Sequence, residues 1–286
     1  MRRITPCVFI LAFIVLTASA ADLRGVWRAN VEGERVHLNL MRDGNQNGHS
    51  FSRADLQGLT DAQINSTTEV PVSITLARDA GTIAMTGTFE AGEGVGRFKF
   101  APNRSFGDTL RALDVPIDEE LSDEHLFSLA MLDISSAFIR EMKSLGYSES
   151  LGQYTAFRIH GVTPQFVREL NALGYSKLTA EQLVTFRIHG VTPEFIRGMK
   201  ELGYSASAND LVTFRIHGVT PDFVRELRDL GYTAVPSEQL VAMRIHGVTP
   251  RFIRELKEAG YQNVPVEKLI EMRVHGIDAE FLRRAK

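Results

Sequence analysis

Arg158-Ile159-His160-Gly161-Val162-Thr163-Pro164 decides the fold, because the same seven residues start again at Arg187, Arg215 and Arg244. A variant, Arg-Val-His-Gly-Ile-Asp-Ala, starts at Arg273. The histidines His160, His189, His217, His246 and His275 are spaced 29, 28, 29 and 29 residues apart. Each string leads into Phe, an apolar residue four positions on and another seven on, as in Phe166/Leu170/Leu173, Phe195/Met199/Leu202 and Phe223/Leu227/Leu230. Gly-Tyr closes each complete unit, at Gly174-Tyr175, Gly203-Tyr204, Gly231-Tyr232 and Gly260-Tyr261. A fixed period of this length means a stacked array of supersecondary units with atypical ends.

Each unit reads as two short helices. Glu181 to Ile188 forms the first in one unit, and Gly190 follows as its left-handed cap. Thr192 is the N-cap of the second, with Pro193 at the first helical position, where a missing N–H costs nothing. Phe195, Met199 and Leu202 lie on one face at i, i+4, i+7, and Gly203 ends the helix. Tyr204 stands where a Schellman motif places an apolar contact on the last turn. One such pair cannot bury its stripe alone, and stacked pairs make a continuous core.

Outward from the strings the repeat continues in degenerate form. Phe138, Met142, Leu145 and Gly146-Tyr147 fit the second half, His125 to Ser136 the first, and Phe106, Leu110 and Leu113 match once more. Before about Pro102 the period changes to two. Val36/Leu38/Leu40, Val72/Ile74/Leu76 and Ile83/Met85/Phe89 alternate with polar residues, with turn chemistry at 78–81 and 90–94. This predicts antiparallel strands near 24–30, 34–42, 71–77, 82–89 and 94–101, with one buried face and one wet face. Trp27 is read as core, 43–48 as a polar loop and 53–66 as a short surface helix. The fold class is therefore α+β in two domains: an antiparallel β domain over 22–101, then a solenoid-like helical-hairpin array over 102–286.

The N-terminus reads as an address. Met1-Arg2-Arg3, the apolar Val8–Val15 and Ala18-Ser19-Ala20 have the order of a cleaved secretory signal, here 1–21. Cleavage removes Cys7, the chain's single cysteine, together with two of its 32 basic residues, leaving a net charge of −5 against 35 acidic residues. A thiol-free exported chain of this length can build its core without disulfides, and thiolate chemistry is excluded. The expected location is secreted or periplasmic, with no integral span after cleavage.

The unit resembles the helix-hairpin-helix motif, carried by Gly161, Gly190, Gly218 and Gly247, each followed by Val. That resemblance implies a DNA phosphate held on backbone N–H groups of the hairpin. The chain departs from it where Thr163, Thr192, Thr220 and Thr249 replace the second glycine, which opposes close phosphate approach. Its layout also resembles exported bacterial proteins in which a small β domain precedes such repeats. Similar repeats accompany membrane metallopeptidases of the β-lactam-sensor type. The strings Arg-Ile-His-Gly-Val-Thr-Pro and Phe252-Ile-Arg-Glu-Leu-Lys257 carry this likeness. It implies an envelope setting with a sensing or partner-binding role, and no protease activity, since His-Glu-x-x-His is absent.

The residue patterns set the expected chemistry. Equivalent histidines on helices stacked about 8–10 Å apart are too distant to share one metal ion, so neither metal nor cofactor is expected. No nucleophile-plus-base pattern or phosphate-binding loop is present, and the protein reads as non-enzymatic. From Val115 to Lys286 there are 20 basic and 23 acidic residues, which is not the balance of a phosphate track. The fixed repeat positions divide into core (Ile, Val, Phe, Leu, Tyr) and exposed Arg and His. Arg158, Arg187, Arg215, Arg244 and Arg273, with the five histidines, are the candidate partner-binding residues. Their alternative role is to complement helix C-termini, reaching the last carbonyls. The expected function is non-catalytic binding of a protein or peptide in the cell envelope, the alternative being exported DNA binding.

Overall fold

The computed structural model describes residues 23–117 and 120–284, so the leader expected at 1–21 lies outside the described residues. The described residues form two compact units, 23–104 with 121–130, and 105–117 and 120 with 131–284. Among the described residues, no helix is long and apolar enough to cross a membrane.

The first unit is an antiparallel half-barrel sheet of seven strands: β1 Leu23–Glu32, β2 Arg35–Arg42, β3 Asn45–Ser52, β4 Leu56–Gln57, β5 Val70–Arg78, β6 Gly81–Glu90 and β7 Glu93–Pro102. Their order is β3-β2-β1-β7-β6-β5-β4. Alternation works as the residues dictate: Val36, Leu38, Leu40, Ile74, Leu76, Ile83, Met85 and Phe100 are all buried. Trp27 is 1 % exposed, and its indole N–H donates to Thr86 O at 3.2 Å. Two segments differ from the sequence pattern. Residues 45–48 are not loop but the start of β3, since Asp43 and Gly44 alone make the turn with φ of 50° and 81°. β3 lies at the sheet edge with one buried residue, Phe51, so it has little alternation to read. Residues 53–66 are not one helix. They form a 3-10 turn (Arg53–Asp55), β4 and a one-turn helix, α1 Asp61–Ile64, started by a Thr60–Gln63 capping box.

Helix α2 (Phe106–Ala112) belongs to the second unit, whereas α3 (Asp123–Met131) lies mostly in the first. Phe127 of α3 stacks on Phe98 at 5.7 Å and meets Phe100 edge-on.

The second unit is the array: α4 Ser136–Ser144, α5 Leu151–His160, α6 Pro164–Ala172, α7 Ala180–Ile188, α8 Pro193–Glu201, α9 Ala208–His217, α10 Pro221–Asp229, α11 Ser237–Ile245, α12 Pro250–Glu258, α13 Val266–Val274 and α14 Ala279–Arg284. Odd helices from α5 stack on odd and even on even, giving two layers. The start and stop chemistry is as read. Thr163, Thr192, Thr220 and Thr249 accept the N–H of the Phe three residues on at 3.1–3.2 Å. Pro follows each of them at the first helical position. Phe166, Phe195, Phe223 and Phe252 are buried between the layers, whereas Phe281, in the last unit, is 52 % exposed. The variable Gln165, Glu194, Asp222 and Arg251 are solvated.

Candidate functional site

The repeated arginines belong to the joints between units. Arg187 Nε donates to His160 O at 3.2 Å while its guanidinium lies over Phe166, 5.0 Å from the ring centre. Arg215 does the same to His189 O and Phe195, and Arg244 to His217 O and Phe223. Arg273 lies over Phe252, and Arg158 covers Phe138 while bonding Leu132 O and Asp133. Arg158, Arg187, Arg215 and Arg244 therefore each cap a carbonyl at the end of the preceding unit, and all five cations cover that unit's aromatic core. The helix C-terminus that Arg187, Arg215 and Arg244 reach is the neighbouring unit's. A cation over a ring plus a charge-assisted bond gives these residues a fixed role in folding.

The turn after each odd helix is shaped to receive this side chain. Gly190 has φ +68°, and a Cβ there would stand 2.9 Å from Arg215 Nη2. Gly190 N–H donates to Arg187 O and Val191 N–H to Phe186 O. Those turn N–H groups are therefore spent inside the protein, at the place where the helix-hairpin-helix resemblance implied a phosphate.

Two further ladders tie the opposite edge. Tyr147, Tyr175, Tyr204 and Tyr232 donate their hydroxyls to Leu178, Ala206, Val235 and Val264 O of the next unit at 2.7–2.9 Å. Lys143, Lys200 and Lys257 reach back to Leu113, Leu173 and Leu230 O, and Arg228 to Leu202 O. Burial raises the pKa of Tyr147, Tyr154, Tyr175, Tyr204 and Tyr232 above the ordinary value, near 10. The folded state thus favours the neutral phenol. Its contribution to stability is complete below about pH 10 and declines as pH climbs through the raised folded values. A phenolate absorbance titration of native against urea-unfolded protein is expected to show Tyr147, Tyr154, Tyr175, Tyr204 and Tyr232 ionising late. Superimposed curves would refute the ladder.

The histidines do less. His160, His189, His246 and His275 are exposed and His217 is half-buried. The rings of His160, His189, His217 and His246 make no hydrogen bond or ion pair among the described residues. No group of three or more His, Cys, Asp or Glu among the described residues is placed to hold a metal ion.

Between the arginine and the histidine of each string stands the residue that sequence reasoning assigned to the core. Ile159, Ile188, Ile216, Ile245 and Val274 are 56–59 % exposed. A helix turns about 100° per residue, so Ile188 lies about 200° from buried Phe186, on the far side of α7. That angle was available in the sequence. Behind this row stand the half-buried Val184, Val212, Val241 and Ile270, one turn earlier. The odd helices are therefore apolar on two faces, and the outer one is left uncovered by the described residues. The even layer differs. Its outer face carries ion pairs, Arg168 with Glu141, Arg254 with Glu226 and Arg197 with Glu194.

The chain matches no family model, no curated protein and no solved structure.

Proposed function

We propose that this chain is a non-catalytic, exported binding protein of the bacterial cell envelope, and that its array takes a protein or peptide partner on the outer face of the odd helices. One observation carries the reading: the same β-branched aliphatic position stays exposed in five successive units. Water-exposed aliphatics in a continuous row mark interaction sites. The arginines beside them have a structural reason to recur, and the isoleucines have none. The binding residues are the isoleucine row first, with the histidines and the outer guanidinium nitrogens at its edge. DNA is the weaker reading. The turn N–H groups are occupied, and the array's charge balance is slightly acidic.

A photoreactive residue in place of Ile188, Ile216 or Ile245 tests the site in cells. Protein adducts are expected from these positions and not from Arg168 or Arg254 on the even face. Adducts that are absent, or equal from both faces, would overturn the reading. The export half is checked by the intact mass of the envelope form, expected to begin at Ala21 or Asp22.

A further inference from the structure

We infer that the partner on this face is a second copy of the same chain, an assignment that rests on the odd-helix face being the binding surface. Glu181 stands seven residues before Ile188 and Val184 four before, all on one side of α7. Glu238 and Val241 precede Ile245 in the same way, and Glu267 and Ile270 precede Val274. In α9 the acidic place is taken by Asn209, next to Asp210. The face is thus striped, with carboxylates along the helix N-termini, an aliphatic band, then histidine and arginine along the C-termini. Helix dipoles account for both charged rows but not for an uncovered aliphatic band between them.

Apart from Arg158, which pairs with Asp133, neither charged row is neutralised among the described residues. Among the described residues, Glu181, Glu238 and Glu267 form no ion pair, and Arg187, Arg215 and Arg244 meet no carboxylate. A two-fold axis running along the stack sets two copies face to face with their odd helices antiparallel. Each carboxylate row then meets the other copy's histidine and arginine row, and the aliphatic bands cover one another. An axis along the helices would instead set carboxylate on carboxylate. Charge complementarity selects the first arrangement, an isologous pairing of the commonest kind.

The test is sedimentation equilibrium on the mature chain with matched variants, each checked for an unchanged circular dichroism spectrum. Wild type is expected to dimerise. Ile188→Glu/Ile216→Glu/Ile245→Glu is expected to be monomeric. Glu181→Lys/Glu238→Lys/Glu267→Lys alone, and His189→Glu/His246→Glu/His275→Glu alone, each weaken the dimer by about tenfold or more, because like charges then face each other. An equimolar mixture of these two restores it, since every reversed row meets its complement. Restoration supports the pairing. A dimer indifferent to the isoleucine variant, or a mixture that does not recover, overturns it. Wild type that stays monomeric at about 0.1 mM also overturns it. If Ile188 still cross-links to another protein in that case, the binding face survives without the second copy. No adduct of any kind removes the face itself.

Discussion

Replacing Phe223 by Ala is expected to cost about 3–5 kcal/mol, the range for deleting a buried aromatic. Phe223 is 5 % exposed and lies between the layers. It also carries the guanidinium of Arg244 at 5.0 Å, so truncation removes the ring that supports the next unit's joint. Thermal or urea unfolding measures the loss, and Arg244→Gln in the wild-type and Phe223→Ala backgrounds apportions it. The two changes are expected to be less than additive, because the second removes an interaction the first has already lost. A loss below about 1 kcal/mol would mean that the ring is not core. The same change at Phe281 is expected to cost far less, since that side chain is half exposed in the last unit.

The contrast between Phe223 and Ile216 shows what the sequence could and could not tell. Thr220-Pro221 and the stripe from Phe223 are local signals, set by capping chemistry and helix period, and the structure follows them residue by residue. The partner of an arginine is not local. Arg244 bonds His217, 27 positions back, and only the stacking of units reveals that target. The arginine's reach to a carbonyl at a helix C-terminus was thus legible, but not which unit supplies that carbonyl. The isoleucine was misassigned for the opposite reason. An aliphatic β-branched residue inside a repeated string suggests core by type, although its angle from Phe214 already turned Ile216 outward. The edge strand β3 was missed because polar residues on both faces leave no period to detect.

Gly218→Val is expected to cost about 3 kcal/mol by two separable routes. The position has φ +71°, where a non-glycine residue loses about 1–2 kcal/mol and a β-branched one is the least tolerated. The second route is steric. A Cβ on Gly218 stands 2.9 Å from Arg244 Nη2, so the end of that side chain must shift from the place where it bonds His217 O and covers Phe223. The shift adds at most about 1–2 kcal/mol, the scale of a cation over a ring with a hydrogen bond. The routes separate in an Arg244→Gln background. There the backbone penalty of Gly218→Val persists while the steric part shrinks, so the measured cost falls by about the second amount. An unchanged cost would show that the arginine does not depend on the turn. The same substitution bears on binding, since Ile216 and Ile245 sit on either side of this joint. A glycine that lets the next unit's arginine close against the turn also fixes how far apart consecutive isoleucines are presented. Loosening the joint is therefore expected to reduce cross-linking from Ile216 and Ile245 together, while cross-linking from Ile159, two joints away, persists.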